Sequence, residues 1–155
     1  MLKQELDAID VRIIRELQLD ARLTNVELSR RVGLSPTPCL RRVNRLEAEG
    51  IIKSYTALVD ERAVGRPISV FVSVSLERQV EATLESFESL IKDLPEVLEC
   101  YLMTGNSDYL LRVVTSDLAS FETFLKQHLT RIPGVANIRS SFSLKQVVHR
   151  TVLPN

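Results

Sequence analysis

Ile132-Pro133-Gly134-Val135 stands 38 positions after Leu94-Pro95-Glu96-Val97, and the two are one element met twice. Each marks an exit from a helix into a strand. Working outward, Leu84, Phe87, Ile91 and Leu94 precede the first copy at helical spacing, and Phe121, Phe124, Leu125 and Leu129 precede the second. Before the first helix, Ile68 to Leu76 alternates, with Val70, Val72, Val74 and Leu76 on one face and Phe71, Ser73 and Ser75 on the other. Before the second, Asp108 to Thr115 is again a strand. The copies themselves lead into strands reaching Met103 and spanning about Ala136 to Val148. Two β-α-β units joined by a hairpin at Thr104 to Asp108 predict a ferredoxin-like βαββαβ sheet with both helices on one face. On the last strand Ser140, Phe142 and Leu144 alternate with Ser141, Ser143 and Lys145. A helix-free face that includes Phe71 predicts a surface for self-association.

Upstream, Ile51 to Asp60 is rich in strand formers and reads as a strand, while Glu61 to Pro67 holds Gly65, Pro67 and three charges and reads as a linker. Before that come three helices. Asp7 is an N-cap for a helix to about Leu19, with Ile9, Ile13, Ile14 and Leu17 at helical spacing. Thr24 and Glu27 fit a capping box for a short helix, Asn25 to Val32, ending at Gly33. The connection Gly33-Leu34-Ser35 is the tight glycine-containing turn of a helix-turn-helix. The expected fold class is therefore α+β: an N-terminal three-helix (winged) helix-turn-helix domain with its following strand over residues 1–60, a linker over 61–67, and a ferredoxin-like domain over 68–155.

The third helix carries the chemistry. Ser35 is positioned to cap it, Pro36 sits at its first position, and Gly50 supplies a left-handed stop. Leu40, Val43 and Leu46 predict an apolar seam, and Thr37, Arg41, Asn44 and Arg45 fall on another face. Arg41, Arg42 and Arg45 suit phosphates or the O6/N7 edge of guanine, Asn44 suits adenine, and Ser35 and Thr37 lie where helix N–H groups favour a phosphate. The stretch from Ser29 to Arg45 contains Arg30, Arg31, Arg41, Arg42 and Arg45 and no acid. A single unit makes few contacts, so binding to double-stranded DNA as a dimer is expected, two helices entering major grooves about 34 to 36 Å apart.

Net charge is zero over the 155 residues, yet residues 1–66 hold 12 basic against 10 acidic side chains and residues 67–155 hold 8 against 10. A local basic face still acts on phosphate, because screening confines the relevant range to about 8 to 10 Å. Cys39 and Cys100 lie far apart with no metal-ligand neighbours, so neither a disulfide framework nor a metal site is expected. No apolar run approaches a membrane span and no signal-peptide pattern opens the chain, which predicts a cytoplasmic, nucleoid-associated protein with no membrane partner. His128 and His149 have no evident triad partners, so no catalytic residue and no enzyme activity is expected.

The chain resembles the Lrp/AsnC family of leucine-responsive or feast/famine transcription regulators. The likeness rests on Asn25 through Val43, on Leu46-Glu47-Ala48-Glu49-Gly50-Ile51-Ile52, and on Thr104-Gly105-Asn106-Ser107-Asp108-Tyr109. By itself Gly105 to Asp108 suits a plain hairpin turn, since these are the residues that turns prefer. The resemblance implies a small amino acid as effector and no other cofactor, bound near Gly105, Asp108 and Tyr109 with help from Ser140. It also implies a helix-turn-helix over Asn25 to Asn44, and dimers assembling to tetramers, octamers or larger rings. The rival reading is an architectural, nucleoid-type DNA-binding protein without an effector.

Overall fold

The computed structural model describes residues 5–154; the outer ends of the domains expected at 1 and 155 lie outside them. Two compact units divide the chain. One runs through Leu58 and takes in the tail from Val147, and the other is Val59–Gln146. The segment expected as a linker, 61–67, thus falls in the second unit, and the last residues of the chain fall in the first.

The first unit is built on α1 (Ala8–Leu19), α2 (Asn25–Val32) and α3 (Pro36–Ala48). Its helix ends are set locally. Asp7 accepts from the N–H groups of Ile9 and Asp10 at 2.9 and 2.8 Å, and Asp10 accepts the Asp7 N–H in return. Thr24 and Glu27 form the reciprocal box at the start of α2. At the end of α3, Gly50 has φ +70° and its N–H donates to Glu47 O, while the Ile51 N–H donates to Leu46 O, a Schellman stop. The core gathers Ile13, Leu17, Leu28, Val32, Cys39 and Leu46. Leu40, expected in that seam, is instead 48% exposed, and Cys39 takes the buried place. Helical geometry permits only one of these neighbours to face inward, and the smaller side chain fits between the crossing helices.

Residues 51–60 form no ladder with another described strand. Strand-forming composition favours extended backbone, but a ladder requires a neighbouring edge, and none is supplied within the described chain. The Tyr55 hydroxyl reaches back to Glu47 Oε1 at 2.7 Å, and burial, followed by this carboxylate, pushes its pKa up to about 12.

The second unit is the ferredoxin-like βαββαβ sheet, with β1 (Ile68–Leu76), α4 (Glu81–Lys92), β2 (Val97–Leu102), β3 (Tyr109–Thr115), α5 (Leu118–Gln127) and β4 (Val135–Phe142) in the order β2-β3-β1-β4. The last strand stops at Phe142, short of the expected Val148. Val70, Val72, Val74, Leu111, Val113 and Tyr109 pack under Phe87, Ile91, Phe121 and Phe124, so both helices cover one face. Phe142 pairs in register with Val70 and meets Phe121 edge-on at 5.3 Å, on the helix side. The other face presents Phe71, Tyr101 and Leu110 beside Arg112 and Arg139. Glu61, in the turn after the first unit, accepts from Arg112 there at 2.5 Å.

Candidate nucleic-acid interface and effector turn

Ser35 stands at the N-cap of α3 with extended backbone, yet its side chain makes no capping bond. The expected cap fails for a reason written in the sequence. Pro38 occupies the third helical position and brings no N–H, so the N3 donor that the Ser35 hydroxyl would accept from is missing. The Ser35 hydroxyl and Thr37 remain exposed at the helix entrance.

Along α3, Thr37, Arg41 and Asn44 follow one another at i, i+4 and i+7 and all three are exposed. Leu40 adds an exposed apolar group to the same outward side. Arg42 and Arg45 behave differently. Arg42 donates to Asp7 Oδ2 at 2.7 Å and to Asp10 Oδ1 at 2.8 Å, and Arg45 donates to Asp10 Oδ2 at 2.6 Å. The Asp10 side chain is only 1% exposed. Burial pushes its pKa up, but the hydrogen bonds from Arg45 and Arg42 outweigh this and hold the carboxyl below its ordinary value. Asp7 is also lowered, first by the Asp10 N–H and then by Arg42. Both guanidinium pKa values are raised in turn.

Arg30 is exposed in the last turn of α2. Its neighbour Arg31 pairs with Glu16 of α1 at 2.9 Å. Asn25, at the start of α2, donates its side-chain amide to Pro36 O at 2.8 Å and so ties the first turn of α3 to α2. Neither Asn25 nor the Asp7/Asp10 pair stands out as part of a site in the sequence. Their partners lie 11 to 35 residues away, and only the helix-capping role of Asp7 has a local signature.

At the other candidate site, Gly105 has φ +111° in the turn between β2 and β3, a conformation that L side chains rarely adopt. Asp108 is 6% exposed. Its Oδ2 accepts the Leu76 N–H at 2.7 Å and its Oδ1 accepts from the Gln79 side chain. The carboxylate therefore already binds the β1–α4 loop to the hairpin. Tyr109 is a core residue, stacked on Phe87 at 4.5 Å with its hydroxyl donating to Glu88 at 2.7 Å. Burial, then Glu88, raises its pKa. Ser140 is not part of this group. It pairs with Val72, which pairs on its other edge with Leu111, so two strand spacings, about 10 Å, separate Ser140 from β3. Among the described residues, no group of three His, Cys, Asp or Glu is placed to hold a metal ion, and no helix is long and apolar enough to cross a membrane.

Comparison with known proteins matches residues 6–53 to a winged helix-turn-helix DNA-binding model and residues 69–153 to the Lrp/AsnC ligand binding domain. The Bkd operon transcriptional regulator of Pseudomonas aeruginosa is 52% identical over 150 residues, covering 97% of this chain and 98% of that protein. The leucine-responsive regulatory protein of Escherichia coli K12 is 43% identical over 144 residues, covering 93% and 88%. A transcriptional regulator of Neisseria meningitidis, solved as a complex with L-methionine, superposes with a TM-score of 0.91 at 43% identity over 97% of each chain.

Proposed function

The chain belongs to the Lrp/AsnC family of transcriptional regulators, and on that premise we propose that it reads specific operators and that a small amino acid adjusts its assembly or its DNA affinity. The observation that carries the DNA half of this reading is the outward side of α3. Thr37, Arg41 and Asn44 line up there in the open, with Leu40 beside them. Arg41 suits guanine or phosphate, Asn44 suits adenine, and Leu40 suits a thymine methyl. The Ser35 and Thr37 hydroxyls at the helix entrance, and Arg30 at the end of α2, suit flanking phosphates.

The effector half rests on the hairpin turn and on relatives that are leucine-responsive or solved with L-methionine. Asp108 is the acceptor for the α-ammonium, which takes the place of the Gln79 amide at Oδ1. Backbone N–H groups of the turn around Gly105 receive the α-carboxylate. Tyr109 supports the turn from the core, and Ser140 acts only at a distance. The sheet face with Phe71, Tyr101 and Leu110 joins two copies, and dimers assemble further.

Gel-shift titration of a duplex selected from random sequence, with and without leucine or methionine, tests both halves. A shift in midpoint of 5-fold or more with one amino acid, lost in Asp108→Ala, is the expected result. Tight binding indifferent to amino acids and to DNA sequence would favour an architectural protein instead.

A further inference from the structure

We propose that Asp10 is the positioning residue of the DNA-reading helix, holding Arg42 and Arg45 to α1 and leaving Arg41 as the α3 arginine that meets DNA. The inference rests on α3 being the helix that enters the groove. Asp10 is the third residue of α1 and is almost wholly buried. Both of its oxygens are used, Oδ1 by Arg42 and Oδ2 by Arg45 and the Asp7 N–H. Asp7 takes a second bond from Arg42. Arg42 and Arg45 are three apart on α3 and so lie on one side of it, and the four groups form a neutral cluster across the two helices. Arg42 uses Nη1 for both carboxylates and Arg45 turns Nη2 to Asp10, so each guanidinium is aimed toward α1 and its charge is balanced there. Arg41 has no ion-pair partner among the described residues and sits with Thr37 and Asn44.

The cluster does geometric work that apolar packing does not. The seam of α3 against α1 and α2 buries Cys39 and Leu46, with Val43 only partly covered. The outward place of Arg41 and Asn44 depends on the roll of α3 about its axis, which this short seam and the Asn25 bond to Pro36 O fix only in part. Two arginines fixed to one buried carboxylate set the roll angle. Asp10 thereby acts on sequence reading without touching DNA.

The test is the salt dependence and specificity of DNA binding by the full chain, measured by fluorescence anisotropy on a duplex selected by the wild type and on an unrelated duplex. Each lost phosphate contact makes the negative slope of log K against log salt shallower by about 0.9. Arg41→Ala is expected to make the slope shallower or to lower the specificity ratio. Arg42→Ala and Arg45→Ala are expected to weaken specific binding with the slope unchanged. Asp10→Asn is expected to reduce specific affinity at least tenfold while binding to the unrelated duplex stays within about twofold of wild type, with Asp10→Glu restoring part of the loss. Tighter binding and a steeper slope in Asp10→Asn would overturn the proposal, because the arginines would then be phosphate contacts that Asp10 restrains. Slopes flattened by Arg42→Ala and Arg45→Ala overturn it even if Asp10→Asn does not fold. If all three arginine variants match wild type while the wild type still binds, α3 is not the reading helix, and the underlying assignment fails with the proposal.

Discussion

The two units of this chain hold themselves together by different means. The sheet unit has a large apolar core, from Val70 on β1 to Leu129 beyond α5, and a single ion pair, Arg112 to Glu61, among its described residues. The helical unit has a much smaller buried core and four of the five described salt bridges, three of them converging on Asp7 and Asp10. A small domain buries too little apolar surface to set every helix orientation by packing alone. Directional polar contacts supply the missing geometry, and they make the reading unit more sensitive to charge and pH than the sheet.

The sharpest way to separate the units is to cut the apolar core. Phe87 is fully buried and stacked on Tyr109, so Phe87→Ala should destabilise the sheet unit by about 3 to 5 kcal/mol. Peptide-resolved hydrogen exchange should show protection lost across 68–142 and retained over 8–48. Loss of equal size in both regions would mean that the units unfold as one.

Asp10→Ala should act in the opposite sense, lowering protection in α1 and α3 but not in the sheet. The effect is about 2 to 3 kcal/mol, below the usual cost of breaking a buried pair because both guanidinium groups are more than a quarter exposed. A urea midpoint unchanged from wild type would remove the cluster from the stability of this unit.

Acid should distinguish the units in the same order. Asp7, Asp10 and Glu27 in the helical unit have folded pKa values below their ordinary ones, against Asp117 alone in the sheet. For a lowered carboxylate the stabilisation is complete above the unfolded pKa, near 4, and is lost as pH falls through the folded value. The helical unit should therefore lose protection first as pH drops below about 4. Earlier loss in the sheet would contradict the comparison. The smallest effect belongs to the cap of α2. Thr24→Ala removes one side of a reciprocal box and should cost about 1 kcal/mol, read as a modest fall in the protection of α2 alone.

Much of the fold is legible from local signals. The repeat at 94–97 and 132–135 predicted the sheet, and α2 begins and ends where its capping residues and Gly33 place it. The misses share one cause. The strand expected at 51–60 lacks a partner among the described residues, the Ser35 cap lacks a donor at Pro38, and Leu40 yields its inward place to Cys39. In each case the residue preference was sound and the neighbour it needed was elsewhere or absent. For the candidate sites, the exposed set Thr37, Arg41 and Asn44 was within reach of helical spacing. The attachment of Arg42 and Arg45 to Asp10, and of Asp108 to Gln79 and Leu76, was not.

By itself the sequence determined the order of the helices and of the four sheet strands, the caps that begin α1 and α2, and the family to which the chain belongs. These depend on contacts within a few residues or on a pattern repeated along the chain. Only the tertiary structure decided which arginines face outward and which meet a buried carboxylate, because that depends on how α1 crosses α3, 32 to 35 residues away in the chain. An arginine in a sequence is a cation with five donors; what those donors hold is set by the helix laid against it.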